Sequence, residues 1–260
     1  MDLACADVGR GTPVVCLPPF SLDRSVMAAA LEPVLGRRPG LRRIYVDLPG
    51  HGESPAGPAT SEHTVAAVSA FVRGRLGGAA ALLAGWSYGG YIAAALARRQ
   101  PAAVAGLLLI CPGVRPGERD LPGPPAEPAP QGWLDEVSPD LRAHLATAIG
   151  YRTAQTAARV AGVLAGSLPG DEEYRQRLRG DGFRLADEAE EGPAYQGPTC
   201  VVTGRRDRIV GFADQFRSLG GYPSASFAVL ADAGHYLPLE RPAESGSLVE
   251  AWLDRCAAVG

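Results

Sequence analysis

Residues 79–91 read Ala-Ala-Ala-Leu-Leu-Ala-Gly85-Trp86-Ser87-Tyr88-Gly89-Gly90-Tyr91. An apolar run from Ala79 to Ala84 suits a buried strand. The alanine-rich run from Tyr91 to Arg99 suits a helix. Between them lies the pattern G-x-S-x-G, which carries meaning when a strand precedes it and a helix follows. A serine at the point of so sharp a turn sits in strained backbone with its hydroxyl pushed out. Side chains at the flanking positions would collide with strand and helix, so glycine is needed there. The same turn aims backbone N–H groups and a helix N-terminus at the space where negative charge develops in acyl transfer. The plainer alternative is a glycine-rich turn without chemistry. The rest of the chain decides between them.

Outward from this stretch, continuous apolar strands alternate with helices. Pro13–Leu17 (PVVCL) reads as a strand, and Asp23–Arg37 as a helix capped by Asp23, with Val26, Ala30 and Val34 on one face. Arg43–Asp47 is a second strand, Ser61–Leu76 a helix capped by Thr60 or Ser61, and Val104–Cys111 a further strand. Residues 1–12 can add a minor edge strand or two. This rhythm means a parallel sheet covered on both faces. It breaks at 113–196, which opens on a proline- and glycine-rich run and then carries only helical patches, Pro139–Ile149, Thr153–Ala165 and Asp171–Arg179. That region is predicted to be a mostly helical insertion dividing a core of 1–112 and 197–260. The sheet resumes at Thr199–Thr203. Ile209–Leu219 is predicted as a short helix, Ser226–Leu230 as the last strand and Arg241–Cys256 as a closing helix.

Bulk properties exclude several classes. With 260 residues, 46% hydrophobic and 20% charged, the chain is an ordinary globular one. A formal net charge of −3 offers no footprint for nucleic acid. Five scattered cysteines without a C-x-x-C pair or nearby histidines argue against a zinc site or a disulfide framework. No basic leader and no run of 18 apolar residues is present, so neither secretion nor a membrane span is expected, and a cytoplasmic location fits.

A serine hydroxyl needs a general base within hydrogen-bond reach, and the base needs a third group to hold it. Four histidines are available: His51, His63, His144 and His235. His63 falls at a helix start, His144 within the insertion and His51 in a tight loop. His235 follows the last strand directly. Loops after parallel strands share one edge of the sheet, and Ser87, Asp207 and His235 all lie just past strand ends. The order Ser, Asp, His is the one expected with a nucleophile on such a turn.

At this point the chain resembles the α/β-hydrolase superfamily over nearly its whole length. Five segments carry the resemblance: Leu17-Pro18-Pro19-Phe20, Asp47-Leu48-Pro49-Gly50-His51-Gly52-Glu53-Ser54, Gly85 to Gly90, Gly204-Arg205-Arg206-Asp207, and Ala233-Gly234-His235. More narrowly it is similar to the compact capped branch of enol-lactonases, carbon–carbon bond hydrolases, perhydrolase-type enzymes and small esterases. The resemblance implies an α/β-hydrolase fold with a helical cap after the sixth strand, where the insertion falls. It implies Ser87 as nucleophile, His235 as general base and acid, and Asp207 as the orienting acid, with Asp214 and Asp232 as competitors for that last role. It implies an oxyanion hole from the backbone N–H groups of Phe20 and Tyr88. Many relatives have His-Gly where this chain has Pro18-Pro19, which removes two potential donors from that loop. Trp86 and Tyr236 are expected along a substrate pocket, with Phe20 another aromatic candidate there. His51 is expected to brace its loop.

The function so implied is a serine hydrolase of an ester, lactone, thioester or activated carbon–carbon bond. It needs no cofactor and no metal, and its partner is a small-molecule substrate rather than nucleic acid or membrane. A biosynthetic lyase, cyclase or acyltransferase on the same scaffold is the alternative, as is a non-enzymatic small-molecule receptor. Substrate identity and oligomeric state are not legible.

Overall fold

A computed structural model of the chain describes residues 2–114, 117, 119–187 and 193–258. Its centre is a seven-stranded sheet ordered β1-β3-β2-β4-β5-β6-β7. The strands are β1 (Cys5–Gly9), β2 (Thr12–Leu17), β3 (Leu41–Val46), β4 (Ala81–Trp86), β5 (Val104–Ile110), β6 (Thr199–Gly204) and β7 (Ala225–Leu230). Only β1 runs antiparallel, pairing with β3; every other pairing is parallel. The sheet therefore has all its β2–β7 chain exits on one edge, and Ser87, Asp207 and His235 follow three of them.

Strand side chains alternate between faces. In β2, Val14 and Cys16 join one apolar cluster while Val15 and Leu17 join the other. Helices α1 (Arg24–Leu35) and α9 (Pro242–Ala257) cover the first face through Val26, Met27, Val249 and Trp252. Helices α2 (Ser61–Leu76) and α3 (Tyr88–Arg99) cover the second through Val65, Val68, Phe71, Ile92 and Leu96. The caps are the ones the side chains dictate: Asp23 accepts from Ser25 N–H at the start of α1, and Thr60 from His63 N–H at the start of α2. In α1 the buried face is Val26, Met27, Leu31 and Leu35, not Val26, Ala30 and Val34. The larger side chains win the core, and Ala30 and Val34 are left half-buried.

Between β5 and β6 lie α4 (Pro139–Ala148), α5 (Ala154–Ala165), α6 (Glu172–Arg177) and a π-helical turn at Leu178–Gly182. This segment follows the fifth strand in chain order, one earlier than the resemblance implies, because residues 2–11 supply a single edge strand before β2. Leu145, Ala157 and Val160 of α4 and α5 enter the first apolar cluster, and Tyr174 and Leu178 enter the second. After β6 the chain runs irregularly to α7 (Ala213–Arg217), so the helix predicted from Ile209 begins four residues later. The short α8 (Leu237–Glu240) precedes α9. Among the described residues no helix is long and apolar enough to cross a membrane.

Candidate active site

Strand β4 ends at Trp86 and α3 begins at Tyr88, so one residue makes the whole turn. Ser87 takes φ 55° and ψ −114°, a conformation that costs a serine about 1–3 kcal/mol. Three hydrogen bonds hold it there. Its N–H donates to Ile110 O at 2.9 Å, and its carbonyl accepts from Tyr91 N–H at 3.0 Å and Gly113 N–H at 3.1 Å. The glycines of the pentapeptide are steric necessities. A Cβ on Gly85 would lie 2.4 Å from Gly89 O, and one on Gly89 would lie 2.1 Å from Leu17 O.

The other two expected residues arrive beside Ser87. His235 Nε2 lies 3.1 Å from Ser87 Oγ, and His235 Nδ1 lies 2.8 Å from Asp207 Oδ2. A carboxylate accepts, so the Nδ1 atom carries the proton and Nε2 is left as the acceptor facing the serine. The second oxygen, Asp207 Oδ1, accepts from Ile209 N–H at 2.8 Å and Val210 N–H at 3.0 Å. These bonds hold the chain irregular after β6 and delay α7. All three side chains are buried. The competitors for the acid lie elsewhere. Asp214 accepts from Asp120 N–H and pairs with Arg217, while Asp232 pairs with Arg241.

The histidine loop is clamped from the helical segment. His235 N–H donates to Ala148 O at 2.7 Å. Two glycines permit the approach, since a Cβ on Gly234 would lie 2.2 Å from Ala148 O and one on Gly150 would lie 2.5 Å from Gly234 N. Glu240 completes the clamp. Its Oε2 accepts from Gly150, Tyr151 and Gly234 N–H groups at 2.8, 2.8 and 2.9 Å, and its Oε1 from Tyr236 N–H at 3.1 Å. Burial outweighs these donors and pushes its carboxyl up to about 7.

The Tyr88 and Phe20 N–H groups have no hydrogen-bond partner among the described residues. Tyr88 is the first residue of α3, where an N–H is left over by helix geometry. Both residues line a cavity of about 630 Å³ together with Ser87. Phe183, Arg119, Arg179 and Arg184 from the helical segment and its approach complete much of the wall.

Trp86 and Tyr236 do not line this cavity. They are buried behind the histidine, edge to face at 5.8 Å, and Trp86 Nε1–H donates to His235 O at 3.0 Å. Adjacency in sequence to Ser87 and His235 put them on the far side of the same backbone. The phenolic oxygen of Tyr236 meets His144 Nε2 at 2.8 Å. His51 is fully buried. Its Nδ1–H donates to Pro49 O at 2.9 Å, its Nε2 has no partner, and its ring packs on Phe20 and Tyr174. Burial holds its pKa down to about 4. The loop around it is further fixed by fully buried Asp47, which accepts from Arg24 and Glu53 N–H groups and pairs with the Arg24 guanidinium.

Cys111, at φ 39° just past β5, brings its sulfur within 4.8 Å of the Asp207 and His235 ligand atoms. These are the one group of metal-competent side chains found among the described residues. The donor chemistry suits an ion poorly. Carboxylate and imidazole already bond each other, and burial with the Asp207 charge pushes the thiol pKa far up, so it stays protonated. Sequence reasoning passed over Glu240, Gly150 and the three arginines. A lone glutamate inside Tyr236-Leu-Pro-Leu-Glu240 is the one signal that was available, an acid in an apolar run.

A mostly parallel sheet carrying a strained serine between strand and helix, with imidazole and carboxylate lined up behind it, defines a hydrolase-type enzyme of the α/β class. Comparisons with known proteins point the same way. The model of the family described as alpha/beta hydrolase matches residues 14–245. A pimeloyl-[acyl-carrier protein] methyl ester esterase of Aromatoleum aromaticum is 31% identical over 234 residues, covering 85% of this chain and 90% of the relative. An alpha/beta superfamily hydrolase from Oenococcus oeni superposes with a TM-score of 0.83 at 22% identity, covering 98% of this chain and 97% of that one. A thermophilic esterase from Thermogutta terrifontis does so with a TM-score of 0.74 at 26% identity, covering 98% and 93%. The chain belongs to the alpha/beta hydrolase family.

Proposed function

We propose that the protein hydrolyses carboxylic esters, with Ser87 as nucleophile, His235 as general base and acid, and Asp207 as the group that orients His235. The observation that carries this reading is the unbroken line from Asp207 Oδ2 through His235 to Ser87 Oγ, 2.8 Å and then 3.1 Å. The esterase relative supports an ester as the substrate class.

The steps follow from that line. The Ser87 Oγ–H proton passes to His235 Nε2 as Oγ bonds the carbonyl carbon. The carbonyl oxygen takes the negative charge and is met by the Tyr88 and Phe20 N–H groups and the N-terminus of α3. Collapse breaks the bond to the alcohol oxygen, which leaves with the proton from Nε2. Water then gives a proton to Nε2 and attacks the acyl-enzyme. The acid departs, and the proton returns to Ser87 Oγ. Asp207 stays ionised throughout and stabilises the imidazolium. Residues 113–196 act as a cap, since Arg119, Arg179, Phe183 and Arg184 all reach the cavity wall from within them.

A fluorophosphonate probe tests the assignment. Wild-type protein is expected to be labelled once per chain and Ser87→Ala not at all. Labelling that survives in Ser87→Ala moves the nucleophile elsewhere.

A further inference from the structure

The cavity beside Ser87 has an uneven charge. Arg119, Arg179 and Arg184 line it, and Asp181 is the one acidic side chain among the described lining residues. Elsewhere arginine commonly meets a carboxylate in this protein, as Arg43 does Glu32 and Arg99 does Glu62 and Asp187. Among the described residues none of the three cavity arginines does.

Each instead makes a neutral contact, and Arg119 also feels the attraction of the Asp207 carboxylate without bonding to it. Arg119 Nη1–H donates to Ile209 O at 2.8 Å, two residues beyond Asp207. Arg179 lies over the Phe20 ring, 5.0 Å from its centre. Arg184 rests against the bare Cα of Gly117, where an added Cβ would come within 1.8 Å of Nη2. The three come from different parts of the chain, one before α4 and two after α6, yet border one space that also contains the nucleophile. All three are exposed at the cavity rim, and a planar guanidinium with open N–H donors matches a carboxylate or phosphate oxygen pair. Several of one sign around a cleft raise the local concentration of an oppositely charged substrate.

We propose that the cavity selects esters bearing an anionic group, a carboxylate or phosphate carried at the end of the substrate away from the scissile carbonyl and received by Arg119, Arg179 and Arg184. This rests on the esterase reading above and specifies its substrate class. The anion can sit on the acyl side or on the alcohol side, and the two are told apart by matched ester pairs. On the acyl side, p-nitrophenyl hemiglutarate is compared with p-nitrophenyl valerate. On the alcohol side, 4-acetoxybenzoate is compared with phenyl acetate.

With the full chain at low ionic strength, kcat/KM for the charged member of one pair is expected to exceed that of its neutral partner about tenfold or more, as several charge-assisted contacts at partly screened positions allow. The preference shrinks as salt is raised. Arg119→Gln, Arg179→Gln and Arg184→Gln combined bring the ratio close to one. Because the ratio is taken within each protein, a general loss of activity or of folded material cancels. Equal turnover of both members in both pairs, or a preference for the neutral ester, overturns this proposal and leaves the esterase reading standing. An absence of both ester turnover and fluorophosphonate labelling overturns the two together.

Discussion

The carboxylate of Glu240 accepts the backbone N–H on each side of His235, from Gly234 at 2.9 Å and from Tyr236 at 3.1 Å. The imidazole is thus suspended from a buried acid that also holds Gly150 and Tyr151 at the end of α4. Glu240→Ala leaves three buried donors and one half-buried donor without an acceptor. At about 1–3 kcal/mol for each orphaned donor, and with partial relaxation, a loss of at least about 3 kcal/mol of stability is expected. The histidine loop loses its anchor as well, so kcat falls in the protein that remains folded. Denaturant unfolding and single-turnover kinetics measure the two effects separately. A variant with wild-type stability and rate would show that the clamp is not needed.

Glu240 and His51 give the protein opposed pH dependences. The folded-state pKa of Glu240 is raised to about 7 by burial, so between the ordinary carboxylate range and neutrality the folded protein holds a proton that the unfolded chain has lost. Stability is therefore lost as pH rises through that window. His51 is depressed to about 4 by burial. Between there and the ordinary histidine range the unfolded chain binds a proton that the folded protein does not, so stability is lost as pH falls. Each slope is limited to about 1.4 kcal/mol per pH unit. In wild type the two slopes partly cancel between roughly pH 4.5 and 6.5. His51→Asn keeps a donor for Pro49 O and should uncover the falling slope with rising pH. Glu240→Gln should uncover the opposite slope. Urea midpoints across this range decide it, and variants with identical pH profiles would remove both assignments.

Gly150 is predicted to tolerate no side chain. An alanine Cβ there would lie 2.5 Å from both Ala233 C and Gly234 N, and backbone cannot give way as a flexible side chain can. The helical segment and the histidine loop must separate, and His235 Nε2 moves away from Ser87 Oγ. Displacements of this kind near a reacting group can cost on the order of a hundredfold in rate. Gly150→Ala should therefore lower kcat far more than it raises KM. Unchanged kcat would mean that the clamp does not set the histidine position.

What the sequence made legible follows from which forces are local. Val14 to Leu17 and Leu107 to Ile110 are apolar on both faces, which only a covered parallel sheet satisfies, and the end of each such strand marks a position on the shared edge. That places Ser87, Asp207 and His235 near one another before any coordinate is known. The end of β4 was less clear. Gly85 and Trp86 read as part of the turn, yet pairing with Leu109 and Ile110 keeps them in the sheet. The pocket was least legible. Trp86 and Tyr236 neighbour Ser87 and His235 in sequence but point into the core, while Arg179 and Arg184 reach the cavity through the docking of α6, which no local pattern encodes. Glu240 escaped for the same reason, since its four donors come from two segments, one at Gly150 and Tyr151 and the other at Gly234 and Tyr236, far apart in the chain.

Asp207→Asn separates orientation from structure. The asparagine carbonyl can still accept the Ile209 and Val210 N–H groups that Asp207 Oδ1 holds, so the loop after β6 and the fold should survive. Its NH2 then faces His235 Nδ1, which must turn acceptor. The imidazole proton moves to Nε2, and the atom 3.1 Å from Ser87 Oγ now donates where it has to accept. No positive charge on His235 is compensated either. A fall in kcat of roughly 10³–10⁴ is expected, with KM and thermal unfolding close to wild type. Fluorophosphonate labelling should slow in proportion rather than vanish, because Oγ is still present. At high pH the asparagine variant should recover part of its rate, as hydroxide takes the serine proton in place of the imidazole. A variant that hydrolyses esters at the wild-type rate would place the orienting acid elsewhere and leave Asp207 as a loop brace only.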